Sequence, residues 1–390
     1  MVCVGHFMSH FLQLVLPPLF PLLRAELGVS YAALGVLMTL FYTASAIGQT
    51  VSGFLVDRFG ARRILLGGLG LFATAIALAG FSVSYWTLMP VMLLAGIGNS
   101  VFHPADYSIF NAAVHPRRLG RAYSAHSMSG SVGWALSPLV TGALTLAFGW
   151  RTALVVLGIF GLAAAVALGR LRVLSELSRP HQARSLGGAG GVLSDIRFLV
   201  TAPILMAFAY FILLSSSLSA MQTFSVSALV AIYAVPLALA SGALTAYLLG
   251  NAGGILIGGI LADNVGRHHL VAGGGMALAA AGALFIGHAL ATPLLLAPLM
   301  ALVGFAKGVT GPSRDLLVRS ATPPGASGKV FGFVYSGLDL GALGMPPVYG
   351  WLMDRGEPRA VFLVSAMLMI ATILTVFEVR RQGAPAQARA

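Results

Sequence analysis

Charged residues are scarce in this sequence of 390 amino acids, because Asp, Glu, Lys and Arg together make up only 9%. A soluble domain carries about 25% charged residues. Apolar residues make up 58% of the chain, and the mean hydropathy is +0.90. Since so few ionisable groups cannot cover a surface that faces water, the composition predicts a polytopic membrane protein.

Cysteine is rare, and nucleotide-binding motifs and the features of a removable leader are not found in the sequence. The single cysteine, Cys3, excludes an intramolecular disulfide framework and a cysteine-based metal site. No Walker A sequence is present, which argues against an ATP-driven pump. No basic n-region or small-residue cleavage site precedes the first apolar run, so we expect no removable signal peptide. His6 and His10 have the i, i+4 spacing of zinc ligands but lack the accompanying glutamate, so we expect no metal, no cofactor and no enzyme activity.

What the sequence has instead is a series of apolar runs long enough to cross a bilayer, which takes about 20 residues per helix. We therefore predict an all-α membrane protein with twelve spanning helices. They lie at 2–23, 31–56, 64–84, 86–113, 121–146, 151–171, 198–221, 237–262, 269–289, 292–317, 328–353 and 359–379. The apolar stretch 221–236 is too short to span and is expected to be a helical extension or an interfacial piece.

A polar stretch rich in Ser, Arg, Pro and Gly separates the sixth and seventh runs. We predict an N-terminal half at 1–172, a flexible cytoplasmic linker at 173–197, a C-terminal half at 198–380 and a cytoplasmic tail at 381–390. Most of the 23 Lys and Arg residues fall on the side of the linker, which places both termini in the cytoplasm. Basic loops suit an anionic inner leaflet, so the net charge of +12 predicts contact with lipids and not with nucleic acid.

A polar hairpin appears twice at matching places in the two halves. The first copy contains Gly53, Asp57, Arg58, Gly60, Arg62 and Arg63, and the second contains Gly259, Asp263, Gly266 and Arg267. Other residues match at one constant offset: Pro104 with Pro312, Gly133 with Gly341, Pro138 with Pro346 and Gly142 with Gly350. So many matches of Gly, Pro and basic residues indicate an internal duplication.

The doubled Gly-x-Leu-x-Asp-x-x-Gly hairpin and the twelve spans resemble the major facilitator superfamily. That resemblance implies two pseudo-symmetric six-helix bundles that transport a small molecule by alternating access. Two features depart from the family pattern: Ala61 stands where a basic residue is usual, and 93–98 lacks an arginine often found in the fourth helix.

A second set of residues resembles the fosmidomycin-resistance branch of efflux pumps. It comprises the Phe-His-Pro segment that ends at Pro104 and the glycine-rich fifth span. Within that span, Gly133, Ser137, Pro138 and Gly142 are similar to a degraded form of the antiporter motif. The resemblance implies a kink in this helix.

Ionisable side chains at bilayer depth are costly and are therefore candidates for function. Asp339 lies about 16 Å into its span, and Lys307 lies at a similar depth. The two form either a structural ion pair or a proton or anion site. His103, Asp106 and Tyr107 share one face of the fourth span, which suits proton coupling. The alternative is that Asp106 pairs with a nearby arginine (Arg117, Arg118 or Arg62).

The first span carries His6, His10 and Gln13 in one polar stripe, which should face the protein interior because lipid would penalise it. His126 in the fifth span is a further candidate for the substrate or proton pathway. At the cytoplasmic end, Arg314 and Asp315 in the tenth span are expected to form a bridge between the halves.

The hairpins are expected to act as a gate, because a carboxylate is favoured near a helix N-terminus. We predict that Asp57 faces Gly328 and Lys329, and that Asp263 faces Gly120 and Arg121. The alternative is a solvated turn whose charges only set the topology.

Together these features predict a secondary active transporter driven by a proton gradient. We favour proton-coupled export of a small amphiphilic or anionic compound, with proton-coupled uptake of a small organic anion as the alternative. A receptor or membrane enzyme is the third class, and the short outer loops argue against it. We expect a monomer in the bacterial inner membrane.

Overall fold

A computed structural model describes residues 1–115, 118–171, 201–320 and 327–387, and every regular element in these ranges is a helix. The first half contains α1 (Val2–Gln13), α2 (Phe20–Leu27), α3 (Tyr31–Phe59), α4 (Ala61–Ala79), α5 (Tyr85–Asn99), α6 (Phe102–Ala113) and α7 (Leu119–Arg170). The second half contains α8 (Ala202–Ser219), α9 (Ser225–Tyr233), α10 (Leu237–Asn264), α11 (His268–Gly287), α12 (Leu296–Ser320), α13 (Ser327–Asp354) and α14 (Pro358–Gln387).

Ten helical stretches among the described residues are long and apolar enough to cross a membrane. One of them covers the fifth and sixth predicted spans, which α7 joins into a single element of 52 residues. Gly149 interrupts it with φ 81° and ψ 157°, a conformation that glycine adopts without steric cost. The predicted all-helical membrane fold is confirmed, while the count of twelve spans stays a prediction.

Three predicted spans differ in detail from the structure. The first is divided into α1 and α2 by a 3₁₀ turn at Pro17–Leu19, where two prolines lack the N–H needed to continue an α-helix. The fourth is divided into α5 and α6 at Ser100. The seventh continues through a π-helical segment, Ala220–Phe224, into α9, so the apolar stretch that follows this span is a helical extension, one of the two outcomes expected.

Contacts divide the chain into two compact units, one formed from Met1–Arg184 with Pro236–Thr245 and the other from Ser185–Val235 with Ala246–Ala390. In the first unit α7 packs on α1 and α4, and α5 packs on α3 and α4. In the second unit α13 packs on α8, and α11 packs on α12 and α14. The division into two halves at 173–197 stays a prediction, since most of that segment lies outside the described residues.

Large apolar side chains lie on the outside as well as in the core. Phe54, Trp86 and Leu294 are 74%, 75% and 85% exposed. A soluble protein rarely exposes a wide apolar surface, whereas lipid solvates it. The exposed side chains therefore match the membrane environment that the composition predicts.

Candidate functional site: a buried histidine and aspartate cluster

Three helices of the first unit bring polar side chains together at its centre. α1 carries His6, His10 and Gln13 on one face, because residues i, i+4 and i+7 align along a helix. α6 supplies Asp106, and α7 supplies His126 and Trp134. The polar stripe on α1 thus meets two other helices.

Small residues let α1 and α7 approach closely enough for this meeting. A Cβ atom at Gly130 would lie 2.5 Å from His10 Cδ2 and 2.7 Å from His6 Nε2. A Cβ atom at Gly133 would overlap the carbonyl oxygen of Phe7. Glycine at 130 therefore leaves the space in which the two imidazoles sit.

Asp106 is the charged centre of the cluster, and it is completely buried. Its Oδ2 atom lies 2.8 Å from His126 Nε2 and 3.5 Å from His6 Nδ1. Its Oδ1 atom is buried without a hydrogen-bond partner. Among the described residues, Asp106 therefore has histidines as its charged neighbours and no arginine, while Arg117, one of the predicted arginine partners, lies outside the described residues. One of the arginines considered, Arg62, instead donates to the carbonyl oxygens of Gly169 and Leu171.

A chain of hydrogen bonds leads from Asp106 along α1. His6 Nε2 lies 3.1 Å from His10 Nε2, and His10 Nδ1 lies 3.2 Å from Gln13 Oε1. Trp134 Nε1 donates to the same Gln13 oxygen at 3.2 Å, and Gln13 Nε2 donates to the Tyr42 hydroxyl at 3.4 Å. At a rise of 1.5 Å per residue, the chain covers about 10 Å along α1.

The donors in this chain can be assigned from one end to the other. An indole N–H only donates, so the atom facing Trp134 is the carbonyl oxygen of Gln13. His10 must therefore donate from Nδ1, and a neutral His10 then accepts at Nε2. His6 must donate from Nε2, which leaves His6 Nδ1 without a proton.

The chain consequently ends in two acceptors that face each other. Neutral His6 presents a lone pair at Nδ1, and ionised Asp106 presents Oδ2 at 3.5 Å. His6 Nδ1 is buried without a hydrogen-bond partner. One added proton between the two atoms would create the missing hydrogen bond and neutralise the buried carboxylate. The arrangement can thus bind and release a single proton.

His6, Asp106 and His126 also lie close enough to be considered as a metal site, with their ligand atoms within 4.8 Å of one another. Their rings argue against it, because those of His6 and His126 stack with centroids 3.5 Å apart and planes only 20° apart. A zinc ion lies about 2.0–2.1 Å from each imidazole nitrogen that binds it, in or near the plane of that ring. Because the two rings are nearly parallel, no point so close to both nitrogens lies in both ring planes. The expected absence of a metal stays a prediction.

His103 and Tyr107 lie at the edge of the cluster. Their rings stack at 6.1 Å, and the His103 ring lies 5.5 Å from that of His6. The sequence did not single out Trp134, Tyr42 or Gly130, although all three shape the chain. Gly130 lies four residues after His126 and four residues before Trp134, and this spacing is the one sequence feature that placed the three on the same face of α7.

The intramembrane charges of the second unit do not pair as one alternative predicted. Lys307 donates to Asn251 Oδ1 at 3.1 Å, and it forms no ion pair with Asp339. Asp339 is exposed on α13. Arg314 pairs with its neighbour Asp315 at 2.9 Å, and Tyr335 donates to the same carboxylate. A bridge from Arg314 and Asp315 to the other half stays a prediction.

Both hairpins lie at helix ends, as their sequences predict. Gly60 joins α3 to α4 with φ 88°, and Asp57 and Asp263 are exposed. The predicted partners Gly120, Arg121, Gly328 and Lys329 lie in described helices, but their side chains are outside the described part of the structure, so the gate stays a prediction. The helix α7 continues through Pro138, and its interruption at Gly149 lies between the fifth and sixth predicted spans. The kink expected from Gly133, Ser137, Pro138 and Gly142 stays a prediction.

Comparisons with known proteins identify the family of this chain. Residues 2–244 and 212–390 match the family model described as Major Facilitator Superfamily. The fosmidomycin resistance protein of Escherichia coli (strain K12) is 25% identical over 397 residues, which cover 96% of this chain and 91% of that protein. A probable L-galactonate transporter of the same organism is 31% identical over 178 residues, covering 44% of this chain and 39% of that protein.

A solved structure shares the fold at low sequence identity. A mutant form of the nucleoside transporter NupG superposes with a TM-score of 0.78 and 14% identity. The match covers 97% of this chain and all of that one, 100%. At this identity the similarity concerns the fold alone.

Proposed function

Because this chain belongs to the Major Facilitator Superfamily and is a multi-pass membrane transporter rather than an enzyme, we propose that it exports a small amphiphilic or anionic organic compound in exchange for protons. The observation that carries the proposal is the pair of facing acceptors, His6 Nδ1 and Asp106 Oδ2, at the end of a buried hydrogen-bond chain. Such intramembrane groups mark proton relays in pumps and transporters.

The proton site acts through the charge of the cluster. Without the extra proton, Asp106 is a buried anion that His126 only partly satisfies with one hydrogen bond. With the proton, the cluster is neutral, and a hydrogen bond between His6 Nδ1 and Asp106 Oδ2 joins α1 to α6. The two states differ in the contacts that hold α1, α6 and α7 together, so the protonation state can bias which conformation is stable.

The direction of transport is supported by the relative with the wider match. A protein named for resistance to a drug aligns with nearly the whole chain, and export of a toxic compound is one way to confer resistance. Uptake of a small organic anion is the second candidate, and the partial match to a probable L-galactonate transporter favours it. The intramembrane Lys307 fits an anionic cargo in either direction.

Asp339 is a second candidate for the coupling carboxylate. It lies on α13, far from either end of the helix, and it has neither a salt bridge nor a side-chain hydrogen bond to the described residues. We assign it a role in the proton or substrate pathway that is separate from the His6–Asp106 pair.

The remaining assignments complete the proposal. The gradient of protons supplies the free energy, and no cofactor is required. The protein works as a monomer in the bacterial inner membrane, with both termini in the cytoplasm and basic loops against anionic lipids. The doubled hairpins close the cytoplasmic gate through Asp57 and Asp263.

Transport in proteoliposomes tests the coupling. A panel of small organic anions and amphiphiles is screened with an imposed pH gradient, and the variants Asp106→Asn and Asp339→Asn are compared on the substrate that is found. We expect Asp106→Asn to abolish gradient-driven accumulation and to retain exchange of labelled for unlabelled substrate. Wild-type accumulation by Asp106→Asn together with failure of Asp339→Asn would move the proton site to Asp339. If both variants accumulate normally, proton coupling through these carboxylates is refuted.

A further inference from the structure

The second unit contains an intramembrane cation, Lys307, whose observed partner is an amide and not a carboxylate. Lys307 lies near the middle of α12, and Asn251 lies near the middle of α10. The ammonium donates to the Asn251 side chain at 3.1 Å. Among the residues that the structure describes, no Asp or Glu lies within ion-pair distance of Lys307.

The position of this ammonium is fixed by close packing of two helices. Glycines 304 and 308 flank Lys307 on α12, and a Cβ atom at either would overlap backbone oxygens of α10, at Tyr247 and Asn251 respectively. Glycines 250 and 254 on α10 contact the α12 backbone in the same way. The Cα atom of Lys307 therefore belongs to a backbone that close packing holds against the backbone of α10. Asn251 is only 7% exposed and lies near the middle of α10, so the ammonium that binds it lies beside the middle of that helix.

The hydrogen bonds at this position are incomplete. An ammonium group has three donors, and one of them is used by Asn251. One turn before Asn251, on the same face of α10, the hydroxyl of Tyr247 is buried without a partner. Both groups can donate, and an oxyanion accepts several such bonds.

The nearest charges along α12 do not supply the missing anion. Arg314 lies seven residues after Lys307, on the same face, and adds positive charge. The carboxylate of Asp315 binds Arg314 and accepts from Tyr335. A lysine at the bilayer centre is costly unless it is paired or solvated, so a bound anion would offset that cost.

We infer that Lys307 and Asn251 form a binding site for the oxyanion group of a small organic anion, such as a carboxylate. If the ligand of this site is the transported compound, that compound is an organic anion. This inference rests on the proposed function only for the statement that the bound anion is transported. Binding itself requires neither a proton gradient nor the His6–Asp106 pair.

Equilibrium binding to the purified protein in detergent, at constant pH and without a gradient, tests the inference. The probes are labelled benzoate and phenylphosphonate, with neutral benzamide as the matched control. We expect saturable binding of at least one oxyanion at millimolar concentrations and no binding of benzamide. Lys307→Gln should weaken oxyanion binding by about tenfold or more, since a charge-assisted hydrogen bond is lost, and Lys307→Arg should retain most of it.

Asn251→Asp provides a variant of nearly the same shape. The new carboxylate would pair with Lys307 and compete with the ligand, so oxyanion binding should fall by about tenfold. The single native cysteine, Cys3, allows a charge-rescue experiment in a Cys3→Ser background. Lys307→Cys should lose binding, regain it after reaction with 2-aminoethyl methanethiosulfonate, which restores an ammonium, and not regain it with neutral methyl methanethiosulfonate.

Three results would overturn the inference: no saturable oxyanion binding by the wild type, wild-type oxyanion affinity in both Lys307→Gln and Asn251→Asp, or equal rescue by the charged and neutral reagents. Loss of gradient-driven transport in Asp106→Asn with intact benzoate or phenylphosphonate binding would leave the site standing. The two proposals therefore fail separately.

Discussion

A methyl group added at Gly130 should disconnect the proton chain without removing any of its polar atoms. In Gly130→Ala the new Cβ atom would lie 2.5 Å from His10 Cδ2 and 2.7 Å from His6 Nε2. Carbon atoms prefer separations of about 3.5–4.0 Å, so the His10 ring must move by about 1 Å from the new Cβ atom, which we expect to draw it away from His6. The His6–His10 distance of 3.1 Å would then exceed the range of a hydrogen bond.

Two opposing terms set the effect on stability. Overpacking a buried site costs about 1–3 kcal/mol, and replacing a helical glycine by alanine returns up to about 1 kcal/mol. We therefore expect a net loss of about 0–3 kcal/mol, which is smaller than the usual free energy of unfolding, so the protein should still fold. Gradient-driven transport should fall by at least as much as in a variant that lacks His10.

The matched control is Gly67→Ala on α4, where a Cβ atom meets no other atom within 4 Å. Substrate-independent evidence comes from Trp134, whose ring lies 4.1 Å from that of His10. In a variant whose only tryptophan is Trp134, the pH dependence of fluorescence should change with Gly130→Ala and not with Gly67→Ala. Unchanged fluorescence titration and unchanged coupled transport in Gly130→Ala would refute the assignment of the chain.

Two further predictions concern packing and the hairpin. Gly254→Ala should lower the unfolding temperature and weaken oxyanion binding, because its Cβ atom would overlap the carbonyl oxygen of Phe305. The control Gly253→Ala should do neither, since its Cβ atom meets no other atom within 4 Å. Equal unfolding temperatures for the two variants would contradict the close packing of α10 and α12. Arg62→Gln should destabilise the first unit by about 1–2 kcal/mol, because it removes charge-assisted bonds to two carbonyl oxygens at the end of α7. Thermal unfolding in detergent measures this, with the exposed Arg63→Gln as the control; equal losses in the two would show that those bonds contribute nothing.

The composition and the apolar runs were sufficient to predict an all-helical membrane protein, because a chain that spans lipid must satisfy its backbone hydrogen bonds internally. The doubled hairpin was sufficient to indicate the family, since Asp57 and Gly60 recur at Asp263 and Gly266 in a matching position. Interruptions within spans were harder to predict. The π-helical segment at Ala220–Phe224 depends on how neighbouring helices pack, and no local pattern marks it, whereas the break at Gly149 falls between the fifth and sixth predicted spans.

The polar stripe on α1 and the face of α6 could each be identified in the sequence, since both follow helical periodicity. Which residues of different helices meet could not be derived in this way. His6, Asp106 and His126 belong to three helices, and their contact depends on how closely α1 approaches α7 at Gly130. Periodicity within one helix contains no information about the distance to another.

The sequence by itself therefore determined that this protein lies in a membrane, that it is all-helical, and which ionisable residues lie within its spans. Only the tertiary structure decided their partners among the described residues: Asp106 forms a hydrogen bond with His126 and faces His6, and Lys307 binds Asn251 and not Asp339. The physical reason is that burial can be inferred from the neighbours along one helix. Pairing depends instead on the crossing of helices that are distant in sequence, and small residues set how closely those helices approach.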